Sequence, residues 1–218
     1  MTSTSRRWLP VAVAVLAMTG VVAIGLGVRD RPGAEPPLTT TPAAESAPPA
    51  APAAGSDTLT SGPLMATSPP VRVSIPALKV ADTAIIGLGQ QADGTMQVPT
   101  DAKTVGWYTK APTPGSLGPA VIAGHVDFHG RPGTFAHLAA LRPGDEITVG
   151  RRDGSTAVFA VAKVERYAKD RFPSAAVYGP IDHAGLRLIT CGGDFDAGSG
   201  HYQDNIVVYA ALRRTAIS

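Results

Sequence analysis

Hydrophobic and polar positions divide this chain into three stretches. Residues 9–28 form an apolar run that only Pro10, Thr19 and the glycines interrupt. The next stretch is rich in Pro, Ala, Thr and Ser and has few large apolar side chains. From about Pro70 onward, short apolar runs alternate with turn residues, a pattern typical of β-structure. The pattern predicts a cytoplasmic tip with a membrane anchor at residues 1–28, a disordered linker at residues 29–69 and a folded domain at residues 70–218.

The apolar run predicts an uncleaved membrane anchor. Its twenty residues, at ~1.5 Å rise each in a helix, span ~30 Å, the thickness of a bilayer's hydrocarbon core. A cleaved signal peptide has an apolar core of roughly 7–15 residues and then a small-residue cleavage site, whereas this run leads directly into Arg29. Arg6 and Arg7 precede it, which places the N-terminus in the cytoplasm and the rest outside. The alternative is a cleaved signal, of weak twin-arginine character, and it also exports the chain.

The linker at residues 29–69 has too little apolar surface to offset the entropy of ordering it. Its composition predicts a partly polyproline-like tether. Such a tether would reach roughly 35 Å as a coil and ~120 Å when extended. Such a tether is suited to holding a catalytic or binding domain away from a membrane. The alternative is a spacer that binds no partner.

The folded domain is predicted to contain seven or eight short strands. Apolar and polar residues alternate over residues 71–75, as in a half-buried strand. Asp153-Gly154 between two β-rich runs indicates a hairpin. Short helices are predicted only near residues 135–141 and 174–177. Many short strands with Gly and Pro turns favour a closed barrel or a sandwich. The clearest strands are 71–75, 96–98, 119–123, 146–149, 157–167, 186–190 and 205–212.

Composition excludes several kinds of function. Charged residues make up 17% of the chain and the net charge is +2, without a long Lys/Arg cluster, so no nucleic-acid partner is predicted. The aspartates of the turns lack EF-hand spacing, so we expect no metal and no cofactor. The single cysteine, Cys191, cannot form an internal disulfide. An unpaired thiol in an exported protein is a candidate reactive group.

Two candidate catalytic residues follow apolar strands. Cys191 comes directly after residues 186–190 and precedes two glycines, while His125 follows residues 119–124. Two strand ends can lie side by side in a barrel although they are far apart in sequence. An imidazolium beside a thiol favours the nucleophilic thiolate, and imidazole can donate a proton to a leaving amine. A buried, structural thiol is the alternative for an isolated cysteine.

The surroundings of these residues resemble one known family. Leu188-Ile189-Thr190-Cys191 is similar to the Thr-Leu-x-Thr-Cys signature of sortases. Residues 70–212 as a whole resemble a class F (class E/F-type) actinobacterial sortase. The resemblance implies an all-β fold, a closed eight-stranded sortase-type β-barrel with short helices, preceded by a transmembrane helix and a disordered linker. The motifs that carry it are Trp107-Tyr108, Gly124-His125-Val126-Asp127, Phe172-Pro173, Val177-Tyr178-Gly179 and Asp204-Asn205-Ile206-Val207-Val208.

The resemblance also implies a function. Such enzymes are cysteine transpeptidases that cleave an LPxTG-like sorting signal after Thr, hold the acyl group as a thioester and pass it to a cell-wall amine. Cys191 is then the implied nucleophile and His125 the general acid/base. The implied partners are the sorting-signal peptides of secreted proteins, a peptidoglycan-precursor amine and the cell membrane, which residues 9–28 would cross once with the catalytic domain outside.

The chain departs from the family where relatives have an arginine that supports the substrate carbonyl. Gln203 stands at that position, and its amide donates hydrogen bonds without carrying a charge. Gly200, at a nearby alternative position, is not an arginine either. Arg187 is a third candidate, but four strand residues place it ~13 Å from Cys191, and it is predicted to be a solvated strand residue. Gln203 as a weaker donor, a distant arginine and a degenerate sortase all remain open.

Two other functions compete with the transpeptidase. A degenerate sortase would be a non-catalytic module that binds sorting signals, and the missing arginine favours it. The intact pair of His125 and Cys191 favours an enzyme instead. Another kind of cysteine peptidase is the third possibility, but papain-like enzymes have Cys before His in sequence. The Ser-x-Gly-Cys surroundings of L,D-transpeptidases are absent before Cys191.

Overall fold

The structure is a computed structural model that describes residues 60–217. The predicted anchor at residues 9–28 and most of the predicted linker lie outside this range. Within it, no helix has the length and apolar character needed to cross a membrane.

The regular structure of the described part of the chain consists almost entirely of β-strands. One short α-helix, α1, spans Ser174–Tyr178, and single 3-10 turns span Pro76–Leu78, Leu138–Ala140 and Lys169–Arg171. The strands are β1 (Pro70–Ile75), β2 (Val80–Leu88), β3 (Val105–Tyr108), β4 (Gly118–Ala123), β5 (Asp127–Phe128), β6 (Arg131–Pro132), β7 (Glu146–Arg151), β8 (Ser155–Ala168), β9 (Ala184–Asp196) and β10 (His201–Ile217).

Eight of these strands close into a barrel. Their order around it is β1-β2-β3-β4-β9-β10-β8-β7, while β5 and β6 form a separate two-stranded ribbon. Neighbours in the barrel are antiparallel except for the parallel pairs β2–β3 and β4–β9. The prediction of an all-β closed eight-stranded barrel is therefore confirmed, and the sandwich alternative was wrong.

Two apolar clusters hold the barrel together. The larger one fills the interior, with Phe135, Phe159, Ile122 and Leu188 fully buried. Each such side chain contributes roughly 1.5–3 kcal/mol by leaving water. The smaller cluster lies on the outer face of β4, β9 and β10, under α1. Since both faces of these three strands are covered, their sequences are nearly continuous apolar runs.

The strand predictions were wrong at three places. Strands β2 and β3 were not predicted, because the exposed β2 has little apolar alternation and β3 is only four residues long. Residues 96–98 do not form a strand and contribute a single bridge from Met96 to Gln90. Strand β9 does not stop at the glycines, because Gly192 still pairs with Asp204 of β10 and the pairing continues to Asp196 and His201.

Candidate active site

The structure brings His125 and Cys191 together through the parallel pairing of β4 with β9. Ala123 is the last paired residue of β4, and its partner on β9 is Ile189. His125 and Cys191 each lie two residues further along. Adjacent strands are ~4.8 Å apart, and residues two apart in a strand face the same side. His125 and Cys191 therefore lie near the same end of the paired strands, His125 just beyond the end of β4 and Cys191 within β9.

A third polar side chain joins this level from the other side. Asn205 of β10 is the direct antiparallel partner of Cys191. Side chains directly opposite each other in such a pair have Cβ atoms about 4.5–5.5 Å apart. Both residues are half-buried. Cys191 and Asn205 on neighbouring strands, together with His125 just beyond the end of β4, form a group that we call the polar row.

The polar row opens into a groove on the outer face of the barrel. This outer groove has a volume of about 620 Å³, and all three residues of the row line it. One wall is the β2–β3 connection, which includes Met96 and Pro99. The other wall consists of α1 and the segment before it. An extended peptide could therefore lie along the groove with a backbone carbonyl beside the thiol.

Aromatic rings form part of the groove wall. Tyr178 lies between Tyr108 and Phe172, with ring centroids 6.3 Å and 6.2 Å away. Tilted and edge-to-face geometries of this kind are favourable for aromatic pairs. Burial, with a smaller contribution from Tyr108, raises the pKa of Tyr178. This aromatic part of the wall is uncharged and suited to apolar peptide side chains.

The imidazole of His125 is oriented by the β2–β3 connection. Its Nε2 lies 2.7 Å from the carbonyl oxygen of Pro99, so Nε2–H donates to that oxygen. The ring of Phe128 packs against it at a centroid distance of 5.0 Å. Because a carbonyl only accepts, this contact leaves Nδ1 as the nitrogen available for proton exchange.

The structure does not bring Gln203 to the thiol. β10 bulges between Tyr202 and Asp204, and Gln203 has no partner on β9. Its side chain is exposed. It lines neither of the two cavities that border Cys191. The position that faces Cys191 from β10 belongs to Asn205, which the sequence analysis named only as part of a motif.

The prediction of a solvated Arg187 was wrong. This residue is only 5% exposed, because its face of β9 is covered by the outer apolar cluster. Its guanidinium lies 4.5 Å from the centre of the Tyr209 ring, and Nε has no hydrogen-bond partner among the described residues. Burial lowers the pKa of Arg187. Arg187 does not line the groove, where Lys169 is the only lysine or arginine among the described lining residues.

The geometry defines a candidate cysteine enzyme: Cys191 and an oriented imidazole line the same peptide-sized groove. Within residues 60–217, no group of three His, Cys, Asp or Glu side chains is placed to hold a metal ion.

Comparison with known proteins identifies the family. A profile described as Sortase domain matches residues 73–213, and the chain belongs to the sortase family. The SrtA sortase from Actinomyces oris has a similar structure, with 22% identity, a TM-score of 0.52 and a match covering 74% of this chain and 89% of that one. Sortase C of Streptococcus pneumoniae is 18% identical, with a TM-score of 0.52 over 67% and 69% of the two chains. At 22% and 18% identity, the similarity to these structures is evidence for a shared fold. No curated protein sequence matches the chain.

Proposed function

We propose that this sortase-family protein is a class F (class E/F-type) cysteine transpeptidase. It would cleave an LPxTG-like sorting signal and transfer the acyl part to a cell-wall amine. The observation that carries this proposal is the polar row of His125, Cys191 and Asn205 along one groove. A module that only binds sorting signals would need the groove but neither the thiol nor the imidazole.

The first half of the reaction forms the thioester. The Cys191 thiolate attacks the threonine carbonyl carbon of the sorting signal, and a C–S bond forms. The tetrahedral oxyanion then collapses, the C–N bond breaks, and His125 as imidazolium gives its proton to the leaving amine. The Pro99 carbonyl accepts from Nε2–H in both protonation states of the ring, so it holds the imidazole in place throughout.

Asn205 is our candidate for the group that stabilises the oxyanion. Its amide donates hydrogen bonds and lies directly across the ladder from the thiol. Removing one such donor typically lowers a rate by ~10²–10³. A neutral amide in place of a guanidinium gives up part of the electrostatic stabilisation, so we expect a slow enzyme. Gln203, the donor expected from the family pattern, is the competing candidate.

The test is capture of the acyl group. The full-length chain in mild detergent is incubated with an LPxTG peptide and hydroxylamine, and mass spectrometry looks for the threonine hydroxamate. Hydroxamate from the unaltered chain supports the transpeptidase. If the peptide binds by fluorescence anisotropy but yields neither hydroxamate nor a thioester adduct of the protein mass, the protein is the binding module instead.

Membrane attachment through residues 9–28 is a separate proposal. It rests on the apolar run and on Arg6 and Arg7, which predict an extracellular catalytic domain. A membrane-impermeant maleimide added to intact cells should label Cys191. The purified chain serves as the control for access to the thiol. If the purified chain and lysed cells are labelled but intact cells are not, the predicted orientation is overturned.

A further inference from the structure

A second cavity borders Cys191 besides the outer groove. It has a volume of about 740 Å³ and lies between β8, the end of β9 and the 3-10 turn at Leu138–Ala140. Thr190 and Cys191 line both this cavity and the outer groove, and no other described residue does. We call it the rear cavity. Cys191 therefore lies at the boundary between the two spaces.

The rear cavity combines an apolar floor with a basic rim. Leu138, Leu141 and Ile206 are buried and form part of the floor. The charged lining residues are three cations and one carboxylate: Arg142, Lys163, Arg166 and Glu165. A ligand with an apolar stem and a negative charge would complement this lining.

Ion pairs neutralise most of these charges, with one exception. Arg166 contacts Asp204, Nε to Oδ2, at 2.5 Å. Lys163 and Glu165 are 3.3 Å apart. Arg142 is exposed and has no carboxylate within 4.0 Å of its guanidinium among residues 60–217. Its charge is therefore free to attract an anionic ligand.

We propose, resting on the proposed function, that the rear cavity receives the acyl acceptor. The acceptor class is a primary amine whose carrier also bears a carboxylate. After thioester formation, the acyl chain still occupies the outer groove and covers the thiol from that side. The rear cavity provides the second approach to the thioester carbon, and Arg142 draws the carboxylate to its rim.

The transfer step balances as an aminolysis. The neutral amine nitrogen attacks the thioester carbon and forms the new C–N bond. The C–S bond then breaks, and its electron pair leaves on the sulfur of Cys191. The proton lost by the amine passes to the neutral imidazole of His125, which restores the imidazolium and thiolate. Water entering by either route gives hydrolysis instead, so the ratio of transfer to hydrolysis reports on the acceptor site.

The experiment measures that ratio for two matched amines. The full-length chain is given an LPxTG peptide with ε-aminocaproate or with its amide, which have the same length and nearly the same basicity but differ in the carboxylate. Ala139→Trp places a large ring at an exposed lining position, and Ala140→Trp is its control on the same turn outside the cavity. Arg142→Gln removes the free cation, and the exposed Arg152→Gln is its control.

The proposal predicts that the unaltered chain prefers the carboxylate-bearing amine several-fold. Arg142→Gln should abolish this preference, and Ala139→Trp should lower the transfer-to-hydrolysis ratio at least five-fold. Hydrolysis of the donor peptide without amine should stay within two-fold of the unaltered rate in the two control variants. The melting temperatures of all four variants should stay close to that of the unaltered chain, which shows that they are folded.

Three results would overturn the acceptor site. The first is a preference that survives Arg142→Gln. The second is an Ala139→Trp variant in which transfer and hydrolysis are unchanged or fall by the same factor. The third is a chain that forms hydroxamate but transfers to neither amine. A chain that forms no thioester fails at the earlier step and rejects the proposed function as well, so the two failures are distinguishable.

Discussion

The two faces of β9 and β10 are both buried over residues 184–190 and 206–210, yet they differ in what they hold. On the inner face, Leu186 and Leu188 of β9 meet Ile206 and Val208 of β10 inside the barrel. On the outer face, the alternate residues form the smaller cluster and then, at the open end, the polar row. The inner face therefore maintains the barrel, and the outer face carries the residues that we propose for catalysis.

The residues of the outer face are buried where α1 and the smaller apolar cluster cover them, and they become accessible where this cover ends. α1 and its neighbours shield Ile189 and Val207, which are 7% and 0% exposed. One pleat further on, Cys191 and Asn205 are only half-buried, because they line the outer groove. A substrate can thus reach the thiol, while the strand behind it is held rigidly on both sides. Substitutions on the two faces should separate stability from activity.

The largest effect is expected for Cys191→Ala. Hydroxamate formation and the thioester adduct should both disappear, because no other thiol exists in the chain. The melting temperature should change by no more than a few degrees, since the side chain is small and half-buried. Cys191→Ser, with a nucleophile of nearly the same size, should lose activity equally. Turnover above background in Cys191→Ala would eliminate the cysteine mechanism.

The inner face is tested by Leu188→Ala. Deleting this fully buried side chain should lower the free energy of unfolding by about 2–5 kcal/mol. The kcat/KM of the folded fraction should change little, since Leu188 does not line the groove. Denaturant unfolding and peptide turnover below the melting range measure the two quantities.

Ile189→Ala is the matched substitution on the outer face. Ile189 lines the groove, so its truncation should raise KM for the peptide as well as reduce stability. If Leu188→Ala and Ile189→Ala change kcat and KM to the same extent, the proposed difference between the inner and outer faces is refuted.

Asn205→Ala tests the third member of the polar row. We expect kcat/KM to fall by roughly 10- to 100-fold, since an oxyanion donor is lost. Gln203→Ala is the control and should change the rate by less than about two-fold, because its side chain is exposed beyond the bulge. A large loss from Gln203→Ala and none from Asn205→Ala would restore the expectation drawn from the family pattern.

The sequence predicted the closed barrel, and it singled out two residues that line one groove, for a physical reason. His125 and Cys191 each follow an apolar run that is buried on both faces of its strand, and such runs are recognisable in a sequence. The register that places Asn205 opposite Cys191 could not be predicted, because it depends on the length of the hairpin loop and on the bulge at Gln203. The burial of Arg187 was missed because strand alternation identifies a face, not what covers it.

The smallest effect, and the one with an unusual sign, is expected for Arg187→Met. Arg187 is a buried cation without a carboxylate partner among the described residues, and burial lowers its pKa. Its only compensation in residues 60–217 is the Tyr209 ring and a 3.2 Å hydrogen bond from Nη1 to the Leu186 carbonyl. Replacing buried ionic groups by apolar residues of similar size is often neutral or stabilising by about 1–4 kcal/mol.

We therefore expect Arg187→Met to raise the free energy of unfolding by about 1 kcal/mol, since Met keeps the length of the side chain and removes the charge. For a domain of this size that corresponds to a melting temperature roughly 2–4 °C higher. Catalysis should not change, because Arg187 lies ~13 Å along the strand from the thiol and outside the groove. A loss of stability would mean that the contact with Tyr209 outweighs desolvation. A loss of kcat/KM in a fully folded variant would instead make Arg187 the distant source of positive charge for the thiolate. The outer face would then hold a residue important for catalysis under the outer apolar cluster as well as in the groove.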